Sequence, residues 1–165
     1  MIIWLASYPK SGNTWLRFFI VSLLMGKKIN LNLNHLKAIM AYPEKSQFKS
    51  LLSDVLDLDQ VAKNWIKSQD IINSDKNSRF FKTHNMFGKF KNYPFTNGQN
   101  TLASIHIVRD PRNVITSIKN HYHINDFEGA LKFILNEKNC IGFAKNNKIT
   151  ENVFPTIISS WKSHY

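Results

Sequence analysis

The chain has one cysteine and no long apolar run, and each shortage excludes a class of protein. Cys140 alone cannot form an internal disulfide or a cysteine metal cluster, so we expect a buried structural thiol in a reducing compartment. The first apolar segment ends at Ser7 and follows no basic stretch, which is not typical of a secretion signal. Residues 16–25 are too short to cross a bilayer and include Arg17. We therefore expect a cytoplasmic protein without a membrane span.

Acidic residues are also scarce, with 11 Asp and Glu against 22 Lys and Arg and a formal net charge of +11. The excess favours an anionic partner such as a nucleotide, a nucleic acid, an acidic substrate or a membrane surface. The Lys residues are spread widely and no RNA- or DNA-binding motif accompanies them. Nucleic-acid binding therefore stays an alternative, which a steep salt dependence would reveal.

Glycine is scarce as well, and the first one, Gly12, lies in YPKSGNTW, which separates two apolar segments. Residues 2–6 predict a strand buried on both faces, and residues 14–25, followed by Gly26, predict a helix. A Walker A loop has its glycines before the lysine, whereas here Gly12 follows Lys10. A P-loop kinase acting on a small molecule is therefore only an alternative, and it would require Mg-ATP binding.

The composition of this loop is typical of an anion site. If Thr14 opens the helix, the backbone N–H groups from Gly12 to Trp15 have no partner within it and face an anion at the positive end of the helix dipole. Ser11 and Thr14 add hydroxyl donors, and Lys10 adds a mobile positive charge. The loop therefore suits a phosphate or sulfate, and the alternative is a plain turn with a solvated Lys10.

Two later segments, RFFKTH at 79–84 and LASIHIVRDP at 102–111, are each typical of a strand that ends in polar residues. After the second, Asp110 can cap a helix whose first turn contains Pro111. Further helices are predicted from Asp126 and over residues 154–165, with loosely connected helices over 30–76. The pattern predicts one α/β domain with a central parallel sheet flanked by helices, and ligand sites at the carboxyl ends of its strands.

Three motifs together resemble the sulfotransferase family, which uses 3′-phosphoadenosine 5′-phosphosulfate (PAPS). YPKSGNTWLR resembles its 5′-phosphosulfate loop, a P-loop-like turn after the first strand. IVRDPRNVITSIKNHY, at 107–122, is similar to its 3′-phosphate-binding segment, in which a Ser follows an Arg by eight positions. FFKTH resembles the strand end that carries the family's catalytic base. The motifs occur in the family's order, and the resemblance implies a single sulfotransferase-like domain over residues 1–165.

The resemblance also implies a role for individual residues. His84 would be the catalytic base, and Lys10 would stabilise charge on the departing phosphate oxygen. The residues that would bind PAPS are Lys10, Ser11, Gly12, Asn13, Thr14, Trp15, Arg109 and Ser117. No metal is expected for such a transfer. The acceptor would be a hydroxyl or amine of a small molecule or glycan, bound largely by loops in 27–76 and 85–100, and no nucleic acid is expected as partner.

Several of these residues also have a structural interpretation. His84 would be an ordinary strand-end histidine, Arg109 would pair with Asp110, and Ser117 would be a small helix residue. Trp15, Phe18 and Phe19 are expected in the core, although Trp15 also matches a family position near the adenine.

The match has one large departure, because the family's later Arg-Lys-Gly segment is not found in these 165 residues. The chain therefore resembles the amino-terminal portion of a longer domain. A truncated, inactive donor-binding domain is for this reason an alternative to an active sulfotransferase.

Overall fold

The computed structural model describes residues 1–26, 32–52, 57–142 and 154–165. The strands are β1 (Ile2–Ser7), β2 (Arg79–Thr83), β3 (Lys89–Phe90), β4 (Tyr93–Pro94), β5 (Thr101–Ile107), β6 (Cys140–Ile141) and β7 (Thr156–Ile157). The α-helices are α1 (Asn13–Met25), α2 (Leu58–Lys63), α3 (Trp65–Ile72), α4 (Pro111–His121), α5 (Phe127–Leu135) and α6 (Trp161–His164). Two 3₁₀ helices span Leu33–Ala38 and Lys45–Phe48.

The central sheet is parallel and has the order β2-β1-β5. Strand β1 lies in the middle, and its register pairs Trp4 with Phe81 on one side and with Ser104 on the other. Residues 2–6 form a continuous apolar run because this strand is covered on both faces. The predicted α/β fold with a central parallel sheet flanked by helices is therefore confirmed.

Helices cover both faces of β1. On one face, Trp4 packs in an aromatic cluster with Tyr42, Phe81 and Phe95, beside Trp65 of α3. On the other face, Leu5 packs against Ile20 and Val21 of α1 and against Ile39, which follows the first 3₁₀ helix. Because side chains alternate along a strand, β2 presents Phe80 and Lys82 to the α1 face and Phe81 to the aromatic cluster.

Helix α1 begins and ends at glycines with positive φ. Gly12 is the N-cap with φ 107°, and Gly26 is the C-cap with φ 62°, where its N–H donates to the Ser22 carbonyl oxygen. The predicted strand, loop and helix are therefore confirmed, and Asp110 caps α4 by accepting a hydrogen bond from the Arg112 N–H. Lys27 and Lys28, expected to follow the helix stop, lie outside the described residues.

The prediction of one helix over residues 154–165 was wrong for its first half. Thr156 and Ile157 instead form β7, which pairs antiparallel with Cys140 and Ile141 of β6. Only Trp161–His164 is helical, and Ser160 is its N-cap, with a side chain that accepts a hydrogen bond from the Ser163 N–H. Local sequence did not reveal this because a strand of two β-branched residues is defined by its pairing partner.

The expectation of a buried Trp15 and Phe19 was also wrong. Their exposed fractions are 82% and 65%, because both lie on the side of α1 that faces away from the sheet. Phe18 is half-buried. Among the described residues, no helix is both long enough and apolar enough to traverse a bilayer.

Candidate functional site

A cavity of about 560 Å³ opens at the carboxyl ends of β1, β2 and β5. The residues that line it are Pro9, Lys10, Gly12, Asn13, Thr14, Trp15, Lys82, His84, Arg109, Ser117, His121, Tyr122 and Ile141. Three of them are Lys or Arg, and no acidic residue in the described part of the chain contributes to the lining. A cavity of this size and charge suits an anionic small molecule.

The loop after β1 turns twice through the left-handed region before α1 begins. Lys10 has φ 68° and Gly12 has φ 107°. The first helical hydrogen bond runs from the Leu16 N–H to the Gly12 carbonyl oxygen, at 3.2 Å. The N–H groups of residues 12–15 precede that bond and have no helical acceptor, so this end of α1 can donate to an anion.

Two side chains of the loop are turned inward and hold it in place. Asn13 Nδ2 donates to the Leu5 carbonyl oxygen at 2.9 Å and to Ser7 Oγ at 3.1 Å. Asn13 also lines the cavity, but its side-chain N–H groups are used by these two bonds. Ser11 is buried, and its Oγ lies 3.3 Å from the Tyr165 hydroxyl oxygen. Ser11 is the one predicted donor-binding residue that does not line the cavity.

His84 follows β2 and faces the same side of the sheet as α1. Its Nδ1 lies 2.7 Å from the Ser7 carbonyl oxygen, which can only accept a hydrogen bond. Nδ1 therefore carries the proton in the neutral ring, and Nε2 has a free lone pair. Burial, with Lys82 nearby, holds the pKa of His84 well below its usual value of 6.5. The imidazole is thus neutral at pH 7 and able to accept a proton.

Lys82 lies in β2, two residues before His84, and lines the same cavity. Burial lowers the pKa of Lys82 to about 8, with Arg17 adding to the effect and Glu44 opposing it. Its ammonium therefore loses its proton close to physiological pH. The sequence analysis gave Lys82 no role, although the two-residue period of a strand puts it on the same side as His84.

Arg109 and Ser117 line the cavity on the β5 side of β1, opposite to His84 and Lys82, which lie on the β2 side. Arg109 Nη1 donates to the Lys10 carbonyl oxygen at 2.9 Å, which ties the end of β5 to the loop. The Asp110 carboxylate binds Arg112, and Arg109 forms no ion pair with Asp110, which was the alternative interpretation of Arg109. The guanidinium of Arg109 keeps its remaining donors for a ligand.

The structure brings every predicted site residue except Ser11 to one cavity, from three separate parts of the chain. The lining residues that the sequence analysis did not assign to the site are Pro9, Lys82, His121, Tyr122 and Ile141. His121 stands one helical turn after Ser117 on α4, a spacing that could have revealed it. Ile141 gave no signal, because it reaches the cavity through the β6–β7 pairing.

A family model described as Sulfotransferase domain matches residues 2–165. The chain belongs to the sulfotransferase family. The resemblance carried by the three motifs is thereby confirmed, and the α/β architecture agrees with a sulfotransferase domain. No curated protein sequence matches the chain significantly.

Membership of this family supports transfer of a sulfuryl group as the general chemistry of the domain. The protein is therefore a transferase. Within the described ranges, no three His, Cys, Asp or Glu side chains are grouped so as to hold a metal ion. The cavity at the carboxyl ends of the strands offers backbone N–H groups, cationic side chains and two imidazoles, those of His84 and His121, and the pKa of each lies below its usual value of 6.5.

Proposed function

We propose that the chain transfers a sulfuryl group from PAPS to a hydroxyl or amine of an acceptor. The observation that carries the proposal is that the Lys10 loop, His84 and the pair Arg109 and Ser117 line one cavity. PAPS has an anion at each end of its ribose, and the cavity has cationic and N–H donors on two sides. The residues present therefore fit the donor.

Each end of the donor has its own set of groups. The backbone N–H groups of residues 12–15 and the ammonium of Lys10 would hold the 5′-phosphosulfate. Arg109 and Ser117 would hold the 3′-phosphate, with Arg109 already oriented by its hydrogen bond to the Lys10 carbonyl oxygen. Trp15, exposed beside the loop, would cover an aromatic base. Ser11 is not included, because its hydroxyl faces Tyr165.

PAPS supplies, when bound, the electrophilic sulfuryl group and a phosphate leaving group. The neutral imidazole of His84 would accept the proton of the acceptor hydroxyl at Nε2, and Nδ1–H would stay bonded to the Ser7 carbonyl oxygen. Lys10 and Lys82 would stabilise the negative charge that develops on the oxygens between acceptor and leaving group. No described acidic residue lines the cavity to oppose that charge.

Calorimetric titration with adenosine 3′,5′-bisphosphate and with 5′-AMP tests donor recognition. We expect the bisphosphate to bind about tenfold tighter or more, because only it carries the phosphate that Arg109 and Ser117 would bind. Arg109→Ala should remove this preference. Arg112→Ala is the matched control, since Arg112 pairs with Asp110 and does not line the cavity. Equal affinity for the two nucleotides in the unmodified protein would refute the donor.

Transfer itself is tested with PAPS carrying radiolabelled sulfate and a panel of hydroxylated and amino acceptors. His84→Gln should keep bisphosphate binding and lose transfer by about a hundredfold or more, because the base is removed and the donor groups remain. Lys10→Ala should weaken both. A Lys10→Ala variant that keeps both would remove the loop from the mechanism. Bisphosphate binding without transfer to any acceptor would indicate the alternative, an inactive donor-binding domain.

A further inference from the structure

Helix α1 has an apolar surface on the side that faces away from the sheet. Four large apolar side chains in its last two turns, Phe19, Leu23, Leu24 and Met25, have exposed fractions between 50% and 69%. Phe19 and Leu23 are four residues apart and lie in one row, and the next two residues extend the apolar surface around the end of the helix. We call these four residues the α1 face. The part of the chain that the structure describes leaves this face open to solvent.

The opposite side of α1 is already buried in the core, where Ile20 and Val21 pack against Leu5 of β1. The one charged residue of the helix, Arg17, is held beside the 3₁₀ helix Leu33–Ala38, because its Nη2 donates to the Leu36 carbonyl oxygen at 2.6 Å. Helix α1 is therefore apolar both toward the sheet and away from it. A helix of this composition is normally buried on all sides, so we expect a partner to cover the α1 face.

The charge in this part of the chain has one sign. Residues 1–43 contain no Asp or Glu and five basic residues, Lys10, Arg17, Lys27, Lys28 and Lys37. The 3₁₀ helix beside α1 exposes Lys37 together with Leu33, another large apolar side chain. Glu44 is the first acidic residue of the chain, and burial raises the pKa of its carboxyl. An apolar face in surroundings of this charge suits a partner with an apolar interior and an anionic surface.

Hydrogen bonding and charge favour a lipid surface over a protein partner. None of the four side chains of the α1 face can donate a hydrogen bond, whereas protein interfaces contain about one hydrogen bond per 100–200 Å². A second copy of this chain would bring together two surfaces of the same positive charge, and the net charge of +11 on each chain opposes that contact. A bilayer needs no hydrogen bond and no fixed register, because acyl chains cover apolar side chains and anionic headgroups attract Lys.

We propose that α1 docks on a membrane surface rich in anionic phospholipids, with Phe19, Leu23 and Leu24 among the acyl chains and Lys37 at the headgroups. The helix has 13 residues and is about 20 Å long, so it lies along the interface and does not span the bilayer. Trp15, in the first turn of the same helix, lines the cavity at the carboxyl ends of the strands, so docking places the mouth of that cavity close to the membrane. The inference does not depend on the proposed sulfuryl transfer.

Co-sedimentation of the protein with vesicles tests membrane binding directly. One set of vesicles is phosphatidylcholine alone, and the other contains about one third phosphatidylserine. We expect the anionic vesicles to bind the protein about tenfold tighter or more, because only their headgroups attract the basic residues around α1.

Substitutions by serine separate docking through α1 from adsorption of a basic protein by its net charge. The double variant Phe19→Ser/Leu23→Ser removes apolar surface from the α1 face without changing the charge. Leu135→Ser is the control, because Leu135 lies on α5 and is 61% exposed. The double variant should bind anionic vesicles about tenfold more weakly or worse, and the control should bind as the unmodified protein does. Both should unfold at the same urea concentration as the unmodified protein, because the replaced side chains are exposed.

A spin label on the lipid acyl chains identifies the docked surface in the unmodified protein. The protein is labelled with ¹³C at the methionine methyl groups and mixed with small bicelles that contain phosphatidylserine. Met25 belongs to the α1 face, whereas Met86 packs beside the aromatic cluster, and Met25→Leu assigns the resonance by its loss. We expect the spin-labelled lipid to broaden Met25 and to leave Met86 sharp, relative to bicelles without the label.

Equal binding to neutral and anionic vesicles would overturn the inference, as would a Met25 resonance that the spin label does not broaden. It also fails if Leu135→Ser weakens binding as much as the double variant does. Sedimentation equilibrium without lipid tests the other occupant: a dimer that Phe19→Ser/Leu23→Ser abolishes would assign the α1 face to a second copy of the chain instead.

Discussion

The hydroxyl of Tyr165 bridges the carboxyl ends of β1 and β5, because it bonds to the backbone of Tyr8, just after β1, and of Ile107, the last residue of β5. It accepts a hydrogen bond from the Tyr8 N–H at 3.1 Å and donates one to the Ile107 carbonyl oxygen at 2.8 Å. Ser11 Oγ, 3.3 Å away, is the third neighbour of the same oxygen. The residue after α6 therefore fixes the point at which the loop that precedes α1 leaves β1.

Removing this hydroxyl with Tyr165→Phe should loosen the loop and leave the ring in place. We expect the free energy of unfolding to fall by about 1 kcal/mol, because hydrogen bonds to two backbone groups are lost. Bisphosphate affinity should fall a few-fold, since the loop donors are less well held. Urea denaturation and calorimetry measure the two effects. Tyr93→Phe, in the β3–β4 hairpin away from the loop, is the control and should change neither. Unchanged stability and affinity in Tyr165→Phe would show that the loop needs no support from α6.

The elements that the sequence predicted are those with strong local signals at their ends. Gly26 stops α1 in the left-handed conformation, and Asp110 caps α4 ahead of Pro111. The buried central strand was recognisable as a continuous apolar run. These signals depend on neighbours in the chain, so one sequence was sufficient to find them.

Features that depend on distant contacts were not predictable in the same way. The strand β7 exists because it pairs with β6, and Trp15 is exposed because the sheet covers only the opposite side of α1. Ser11 turns away from the cavity because the Tyr165 hydroxyl is on its other side. Composition of the loop indicated an anion site, but which side chains face it is decided by the fold around the loop.

Gly12→Ala tests the backbone geometry of the loop without a steric clash. A Cβ at this position would have no atom within 4 Å, but φ is +107°, a conformation that L-residues rarely adopt. We expect the free energy of unfolding to fall by about 1 kcal/mol, because alanine either keeps the strained left-handed φ or moves the loop backbone to a different φ. Either outcome redirects the N–H groups at the start of α1, so bisphosphate affinity should fall by about tenfold.

Gly98→Ala is the matched control for Gly12→Ala. It also has no atom within 4 Å of the added Cβ, and its φ is outside the positive range. Stability and bisphosphate binding should both stay within the error of urea denaturation and calorimetry. If Gly12→Ala behaves as Gly98→Ala does, the loop geometry does not limit ligand binding.

Lys82→Met should make the protein more stable at pH 7. Burial lowers the pKa of Lys82 to about 8, below the usual 10.5, so the folded state opposes its charge. At pH 7 this penalty is fully present, and its removal is worth about 3 kcal/mol. Between pH 8 and 10.5 the unfolded chain binds more protons than the folded one, so the advantage of the variant should shrink as pH rises. Urea denaturation at pH 7 and pH 10 measures it. Lys162→Met, at an exposed position, should show no such trend.

The pH dependence of transfer separates the roles of His84 and Lys82. Because the pKa of His84 lies well below 6.5, its imidazole is neutral throughout the range from pH 6.5 to 9 and should add no acid-side fall there. Lys82 has a pKa of about 8, so the charge that it contributes to the cavity disappears as pH rises through that value. We therefore expect kcat/KM for the donor, which reports the ligand-free protein, to change little from pH 6.5 to 7.5 and to fall above pH 8.

Lys82→Arg shows whether the fall above pH 8 belongs to this residue. A guanidinium keeps its charge at every pH used, so the fall should disappear even if the maximal rate is lower, because arginine positions its charge differently. Lys162→Arg, at an exposed site, should leave the profile unchanged. A fall above pH 8 that persists in Lys82→Arg would assign it to another group, and a steep loss of rate below pH 7 would mean that His84 titrates normally. A flat profile would mean that the charge of Lys82 does not act on the transferred group.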